Sequence, residues 1–341
     1  MSSLPIKIQT GSAIRSDAAS PKQIRRIPTR PAPTSRMADE AFRYATLFCA
    51  ASILVIVGLI FYELIERSQL SIGQFGWKFF SGTNWDPVSG DFGALPFIFG
   101  TLVSSAVALV IAVPLGIGVA VFVTEMCPKA LRGILSFFTE LLAAIPSVIY
   151  GLWAVFVLVP IMREHIQPFL AKYLPWTGLF TGPPYGIGML TAGIVLAIMV
   201  VPSISSITRE VMSAVPQHQR EAVLALGATR WEMIRTGVLR NARTGIMGGI
   251  MLGLGRALGE TMAVTMVIGN RPEIAKSLFA PGYTLASVIA NEFSEATDDL
   301  YLSALIEIGL ALFLLTVVVN AVARLLVWST TRGVPARVHG Q

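Results

Sequence analysis

The sequence predicts an all-α protein that crosses a membrane several times, and three observations carry the prediction. Hydrophobic residues make up 54% of the 341 residues and charged residues only 13%, whereas a soluble domain has about 25% charged residues. Several apolar segments reach the ~20 residues that are needed to cross the hydrocarbon core. Lysine and arginine collect in alternate connecting segments, as they do in polytopic membrane proteins. We therefore expect six transmembrane helices.

Residues 1–40 precede the first apolar segment and are rich in Pro, Ser, Arg and Ala. This composition cannot bury enough apolar surface to fold, so it predicts a disordered basic tail. No small-x-small cleavage site follows the first apolar segment, which we therefore expect to remain as an anchor. A solvated cytoplasmic tail fits this stretch better than a segment that binds nucleic acid or anionic lipid.

The apolar region that we expect to form the membrane domain covers residues 41–330, and residues 331–341 form a short tail. Hydropathy and helix-breaking residues divide this region into predicted spans at 44–62, 96–124, 133–162, 187–208, 244–268 and 302–328. Prolines inside these spans are candidate hinges, although prolines are common in membrane helices; they are Pro114, Pro146 and Pro202.

A few charged and aromatic residues lie at the predicted span ends. Glu140 and Glu307 are placed where a carboxylate can reach the membrane interface, which favours a structural role. Trp77, Trp85 and Trp176 lie outside the spans, and we expect them to anchor the chain at the interface.

The distribution of basic residues predicts the orientation. Eight Lys or Arg precede the first span and six lie in residues 209–243, whereas the segments 63–95, 163–185 and 271–301 carry two each. Basic segments concentrate on the cytoplasmic side. All of them fall on that side only if both termini are cytoplasmic and the number of spans is even.

A polar segment of helical composition, residues 217–239, interrupts the apolar pattern between the fourth and fifth spans; we call it the handle. Gly227 is placed to end a helix over residues 217–226 in a left-handed cap. Thr229 and Glu232 have the spacing of a capping box that begins a second helix. The apolar side chains of the handle that we expect to make contacts are Val223, Leu224, Leu226, Trp231, Met233 and Ile234. They suit either a groove on a partner protein or a membrane surface, and the residues alone favour the two readings equally.

The fifth predicted span combines a glycine stripe with two buried charges. At 100° per residue, Gly245, Gly249, Gly253, Arg256 and Glu260 lie within about 80° of one another on the helix. Glycines spaced by four residues allow close approach of another helix. Arg256 lies about 18 Å into the span, where an unpaired charge costs at least ~2.5 kcal/mol. Glu260, at i+4, is its predicted partner.

Enzymatic activity is the poorer interpretation. The chain has no phosphate-binding loop of the type G-x-x-x-x-G-K-[ST], no G-x-S-x-G and no H-E-x-x-H. Two cysteines and three histidines show no metal-ligand spacing. We expect no metal and no cofactor.

The handle resembles the EAA loop of the permease subunits of binding-protein-dependent ABC importers. The matching residues are Glu221, Ala222, Gly227 and Leu239, with Trp231 among the apolar contacts. The chain departs from the family pattern at Val223, Gly237 and Arg240. The last of these replaces a proline, so we expect the helix to run continuously into the fifth span. The resemblance implies the importer permease fold and makes residues 210–242 the loop that couples to an ATPase.

Most of residues 90–328 resembles one type of permease subunit of the phosphate-specific ABC importers, including GGIMLGLGRALGETMAVTMVIGN and ELLAAIPSVIYGLWAVFV. The resemblance implies import of inorganic phosphate across the bacterial inner membrane by alternating access. The implied partners are a second homologous permease subunit, two ATP-binding subunits and a periplasmic phosphate-binding protein. ATP would be hydrolysed on those partners, and no nucleic acid is involved.

Two interpretations of the buried pair remain. Arg256 and Glu260 could neutralise each other and hold helices together, or Arg256 could bind the oxyanion while Glu260 orients it. The second is favoured, because a planar guanidinium matches an oxyanion bidentately and because intramembrane charges are commonly functional. The matching residues of the family are implicated in phosphate passage. The competing functions are import of another oxyanion (sulfate, molybdate or phosphonate), phosphate signalling and, least favoured, a self-sufficient channel.

Overall fold

The structure is a computed structural model that describes the backbone of residues 33–331 and the side chains of residues 37–328. Residues 1–32 and 332–341, which make up most of the two predicted tails, lie outside the described residues. The first helix begins at Pro33, so its first eight residues overlap the predicted N-terminal tail at residues 1–40.

The described chain is almost entirely helical. Its helices are α1 (Pro33–Arg67), α2 (Gln69–Phe75), α3 (Lys78–Ser81), α4 (Leu95–Met126), α5 (Lys129–Ala144), α6 (Ser147–Tyr173), α7 (Met189–Ser213), α8 (Gln217–Ala225), α9 (Arg230–Gly259), α10 (Met262–Ile268), α11 (Leu285–Glu292) and α12 (Asp299–Thr331). A two-stranded antiparallel hairpin, β1 (Trp85–Asp86) and β2 (Asp91–Phe92), precedes α4. A 3-10 turn, Pro175–Thr177, follows α6. Segments of π-helix occur in α4, α6 and α9 (Phe122–Met126, Ala154–Leu158, Met162–Ile166 and Met233–Leu239).

The chain divides into two units, Met1–Val57 and Gly58–Gln341. The described part of the first unit is the beginning of α1, whose apolar side chains are exposed, as expected of a helix that faces lipid. All the remaining elements belong to the second unit.

Six spans can be assigned, as the sequence predicts. The helices α1, α4, α6, α7 and α12 are long and apolar enough to cross a membrane. The helices α9 and α10 together form one bent span, which is the fifth in chain order. Spans one, two, four and six lie close to their predicted positions. The other two need correction.

The third span begins later than predicted. Residues 129–144 form the separate helix α5, which contains no buried residue, and the span is α6. The break lies at Ile145, whose backbone is extended (φ −66°, ψ 128°), because Pro146 disfavours the helical conformation in the residue before it. Glu140 therefore lies on α5, where it pairs with Arg209 at 2.8 Å.

The fifth span is broken rather than continuous. The helices α9 and α10 meet at an angle of 61°, and Glu260 between them is extended (φ −71°, ψ 127°). Gly259 precedes the break, and glycine is among the weakest helix formers.

The central helix of the second unit is α7, which packs against α4 and α9. Two thirds of the residues in its most apolar 18-residue stretch are buried. A second core lies beside the hairpin and is largely aromatic; it includes Phe79, Trp85, Phe92, Phe97, Tyr283 and Tyr301. Trp85 is 8% exposed, so its predicted role as an interfacial anchor is wrong, whereas Trp77 and Trp176 are exposed. Glu307 is 1% exposed, and the expectation that it reaches the interface is wrong as well.

Candidate functional site

The handle has the predicted helix–glycine–helix form. Its first helix is α8, and Gly227 follows with φ +84°, a left-handed conformation that glycine adopts without strain. Thr229 and Glu232 then form the predicted capping box. The Thr229 backbone N–H donates to Glu232 Oε2 at 2.8 Å, and the Glu232 N–H donates to Thr229 Oγ1 at 3.3 Å. These bonds satisfy backbone donors at the start of α9 and fix the corner.

The handle continues into the membrane as one helix. α9 runs from Arg230 to Gly259 without a break, which confirms the expectation for Arg240 at the position of the family's proline. Leu239 is half-buried beside a core cluster that includes Val238 and Met212. The second part of the handle is therefore connected to Arg256 by one helix, which includes the π-helical segment Met233–Leu239.

The apolar residues of the handle divide into two sets. Met233 and Ile234 are buried in the core, and Val223 packs against them. Leu224, Leu226 and Trp231 are exposed, with exposed fractions of 41%, 89% and 61%. Glu221 and Ala222 are also exposed. The handle thus presents an apolar surface that the rest of the described chain does not cover.

An ion pair that sequence reasoning missed fixes the handle to the membrane part. Arg220 Nη2 lies 3.1 Å from Glu125 Oε1 at the end of α4, and the two side chains are 13% and 8% exposed. The same guanidinium donates to the carbonyl oxygens of Met212 and Val215. The two partners are far apart in the sequence, so no local pattern connects them.

The glycine stripe lies where the periodicity predicts, against another helix. A Cβ at Gly245, Gly249 or Gly253 would lie 2.5, 3.2 or 2.8 Å from the nearest side-chain atom of α7. The facing side chains are Val211, Ile207, Val200 and Ile204. Absent side chains therefore allow α9 to pack closely on α7.

The predicted ion pair between Arg256 and Glu260 is absent. Arg256 Nη1 donates to Ser203 Oγ on α7 at 3.2 Å. Glu260 has left the helix, and its Oε1 accepts the N–H of Ala263 at 3.3 Å. A carboxylate that precedes a helix commonly takes this capping position. The Glu260 carboxylate therefore caps the start of α10. Arg256 has no carboxylate partner within residues 37–328.

Arg256 lines an open groove of about 1300 Å³ between α7, α9 and α12. Most of the lining is apolar, with Thr244, Thr316 and Asn320 among the polar residues. The groove contains a second arginine, Arg324 of α12, which sequence reasoning also missed. The signal was available, since Arg324 falls inside the predicted sixth span at 302–328.

A polar centre lies in the aromatic core beside the hairpin. Glu292 Oε2 accepts the indole N–H of Trp85 at 2.8 Å and the hydroxyl of Tyr301 at 2.7 Å. Burial raises the pKa of the nearby Tyr283 phenol well above its usual range, because a phenolate is poorly solvated there. Asn291 donates to that hydroxyl at 3.1 Å. These contacts join the hairpin to α11 and α12.

No group of three or more His, Cys, Asp or Glu in the described part of the chain is arranged to hold a metal ion. The chemistry that the site offers is that of a cation in an otherwise apolar groove, which can bind an anion. It offers no nucleophile beside a base.

The sequence is similar to known transport proteins over most of its length. A family described as "Binding-protein-dependent transport system inner membrane component" matches residues 112–331. The phosphate transport system permease protein PstC of Mesorhizobium japonicum is 48% identical over 84% of this chain and 89% of its own. The protein of the same name from Pasteurella multocida is 48% identical over 84% of this chain and 90% of its own.

The fold is also similar to that of a solved transporter structure. It belongs to a bacterial ABC transporter involved in the import of the acidic polysaccharide alginate. The match has a TM-score of 0.54 and 18% identity, and it covers 85% of this chain and 98% of that one. At this identity the likeness concerns the fold alone.

Proposed function

We propose, since the chain belongs to the family of binding-protein-dependent transport system inner membrane components, that it is a permease subunit of an ATP-driven importer of inorganic phosphate. The observation that carries the proposal is the 48% identity to PstC proteins over most of both chains. Relatives of that name favour phosphate over sulfate, molybdate or phosphonate, and they favour transport over a purely signalling role. The chain is a multi-pass inner-membrane protein.

The groove supports the proposal by its chemistry. An oxyanion that enters it meets Arg256, whose guanidinium has donors for bidentate binding and is held by Ser203 Oγ at 3.2 Å. None of the described residues that line the groove is a carboxylate, so none of them repels the anion. Glu260 acts one turn beyond, at the bend, where it holds the start of α10.

The handle supports coupling to an ATPase. Leu224, Leu226 and Trp231 would enter a cleft of an ATP-binding subunit, as expected for helix-in-groove recognition. About 39 Å of helix separates Arg230 from Arg256 at 1.5 Å per residue. Because this helix is continuous, closure of the ATPases would tilt α9 and alter access to Arg256. Glu221, Ala222 and Gly227 shape the docking element, and Leu239 seats it on the membrane part.

The remaining parts of the assembly follow from this function. We expect a second, homologous permease subunit, two ATP-binding subunits and a periplasmic phosphate-binding protein, all within membrane lipid. Both termini would be cytoplasmic, with residues 1–40 and 331–341 as tails and residues 210–242 as the coupling loop. This orientation puts the six basic residues of 209–243 on the cytoplasmic side, in agreement with the positive-inside rule.

The test compares Arg256→Gln with Arg43→Gln, an exposed arginine of α1 that lies outside the groove. Both variants should co-purify with the ATP-binding subunits. Arg256→Gln should abolish phosphate uptake, whereas Arg43→Gln should retain it. Normal uptake by an assembled Arg256→Gln complex would contradict the proposed pathway.

A further inference from the structure

Within residues 37–328, the charged side chains that line the groove are all positive. Among the described residues that line it, the ionisable ones are Arg256 on α9 and Arg324 on α12. The positions between them are apolar or carry neutral polar groups, among them Thr316 and Asn320. Two cations on facing walls with no carboxylate produce a positive potential, and low-dielectric walls strengthen it.

The side chain of Arg324 has no ion-pair partner among the described residues. The ion pairs formed within residues 37–328 join Arg67 to Glu63, Arg163 to Glu164, Arg209 to Glu140 and Arg220 to Glu125. Arg324 belongs to none of them, and its side chain makes no hydrogen bond with the described residues. Its side chain is exposed and lines the groove. An unpaired arginine in a span calls for water or an anion beside it.

The two arginines lie at different depths. Consecutive spans cross a membrane in opposite directions, so the end of α12 is level with the start of the fifth span. Arg324 is therefore near the level of Thr244, which lines the same groove. Arg256 lies twelve residues further along α9, which corresponds to about 18 Å of helix. Arg324 stands at the mouth of the groove and Arg256 at its inner end.

We propose that Arg324 is a second anion-attracting position of the permease, which draws the oxyanion from Arg256 towards the cytoplasmic mouth of the groove, the exit side for an importer. This inference rests on the proposed function and deepens it. The two arginines act differently. Arg256 is oriented by Ser203 and binds by geometry, whereas the exposed Arg324 acts through its charge. A lysine at position 324 should therefore serve, since steering needs only a positive charge.

The test measures the potential in the groove directly. A cysteine is placed in the groove by Asn320→Cys, one helical turn before Arg324, in a chain with Cys49→Ser. The other cysteine, Cys127, is buried. In the assembled transporter without ATP, the reaction rates of this thiol with a negatively and a positively charged methanethiosulfonate are compared. Their ratio reports the local potential.

The anionic reagent should react faster in the parent. Arg324→Gln should lower the ratio of rates roughly sevenfold at low salt, as expected when one charge at about 7 Å in water attracts the anionic reagent and repels the cationic one. Arg324→Lys should preserve the ratio, and high salt should shrink the difference between the variants. Inorganic phosphate should slow labelling in the parent but much less in Arg324→Gln.

An unchanged ratio in Arg324→Gln, or the same phosphate protection in both chains, would overturn the inference. Co-purification with the ATP-binding subunits controls for assembly, and Thr316→Cys offers a second labelling position if Asn320→Cys does not assemble. Labelling requires no transport, so the outcomes are separable. A transporter that shows the predicted ratio but imports no phosphate would overturn the proposed function and leave the electrostatic role of Arg324 standing.

Discussion

The packing of the fifth span on the fourth gives a prediction whose size follows from distances. A Cβ at Gly245 would lie 2.5 Å from both methyl carbons of Val211, whereas carbon atoms in contact normally lie about 3.5–4.0 Å apart. Val211 is branched at Cβ and has few alternative rotamers in a helix. Gly245→Ala should therefore force α9 and α7 apart, at about 1–3 kcal/mol for overpacking.

Gly248→Ala is the matched control, because a Cβ at Gly248 meets nothing within 4 Å. Both substitutions share the gain of roughly 1 kcal/mol from replacing glycine by alanine in a helix. The difference between the two variants thus isolates the overpacking, about 1–3 kcal/mol. For a chain of this size we expect the Gly245→Ala unfolding midpoint to lie about 1–4 °C below that of Gly248→Ala.

The assay is thermal unfolding of the purified chain in detergent. Val211→Ala removes the two methyl groups, so the double variant Gly245→Ala/Val211→Ala should show a favourable coupling free energy in a double-mutant cycle. Equal midpoints for Gly245→Ala and Gly248→Ala would refute the packing argument. Additivity of Gly245→Ala and Val211→Ala would refute the assigned contact.

Three further predictions concern the handle. Thr229→Ala removes the capping box with Glu232 and should destabilise the start of α9 by ~1 kcal/mol, seen as faster amide exchange there; unchanged exchange would contradict the cap. Trp231→Ala removes an exposed apolar anchor and should weaken co-purification of the ATP-binding subunits without lowering the unfolding midpoint; full retention of those subunits would count against the docking surface. Glu125→Gln leaves the buried Arg220 without its carboxylate and should destabilise the chain by about 3 kcal/mol, the low end for breaking a buried pair, since two carbonyl oxygens remain bonded; a midpoint equal to that of the parent would show that the pair is not needed.

Local sequence chemistry predicted much of the architecture and of the handle. The capping box of Thr229 and Glu232, the left-handed Gly227 and the continuous helix through Arg240 depend on neighbours within a few residues, which the sequence displays directly. The glycine stripe is also periodic, and it identified the face of α9 that packs on α7.

Three features were missed or wrong because they depend on backbone breaks or on distant partners. Pro146 separated α5 from the third span, where hydropathy alone had joined them. Helical periodicity put Glu260 beside Arg256, but the break after Gly259 turned that carboxylate towards Ala263. Arg220 and Glu125 meet only in the folded chain, so no spacing could reveal their pairing.

The central claim is that this chain forms part of an ATP-driven phosphate importer, and uptake by the reconstituted complex tests it most directly. Proteoliposomes that contain this chain, its homologous permease subunit and the two ATP-binding subunits would receive binding protein, ATP and radiolabelled phosphate. We predict uptake that requires both ATP and the binding protein, that excess unlabelled phosphate suppresses and that excess sulfate does not. Uptake that proceeds without ATP, or a complex that transports sulfate but not phosphate, would contradict the account.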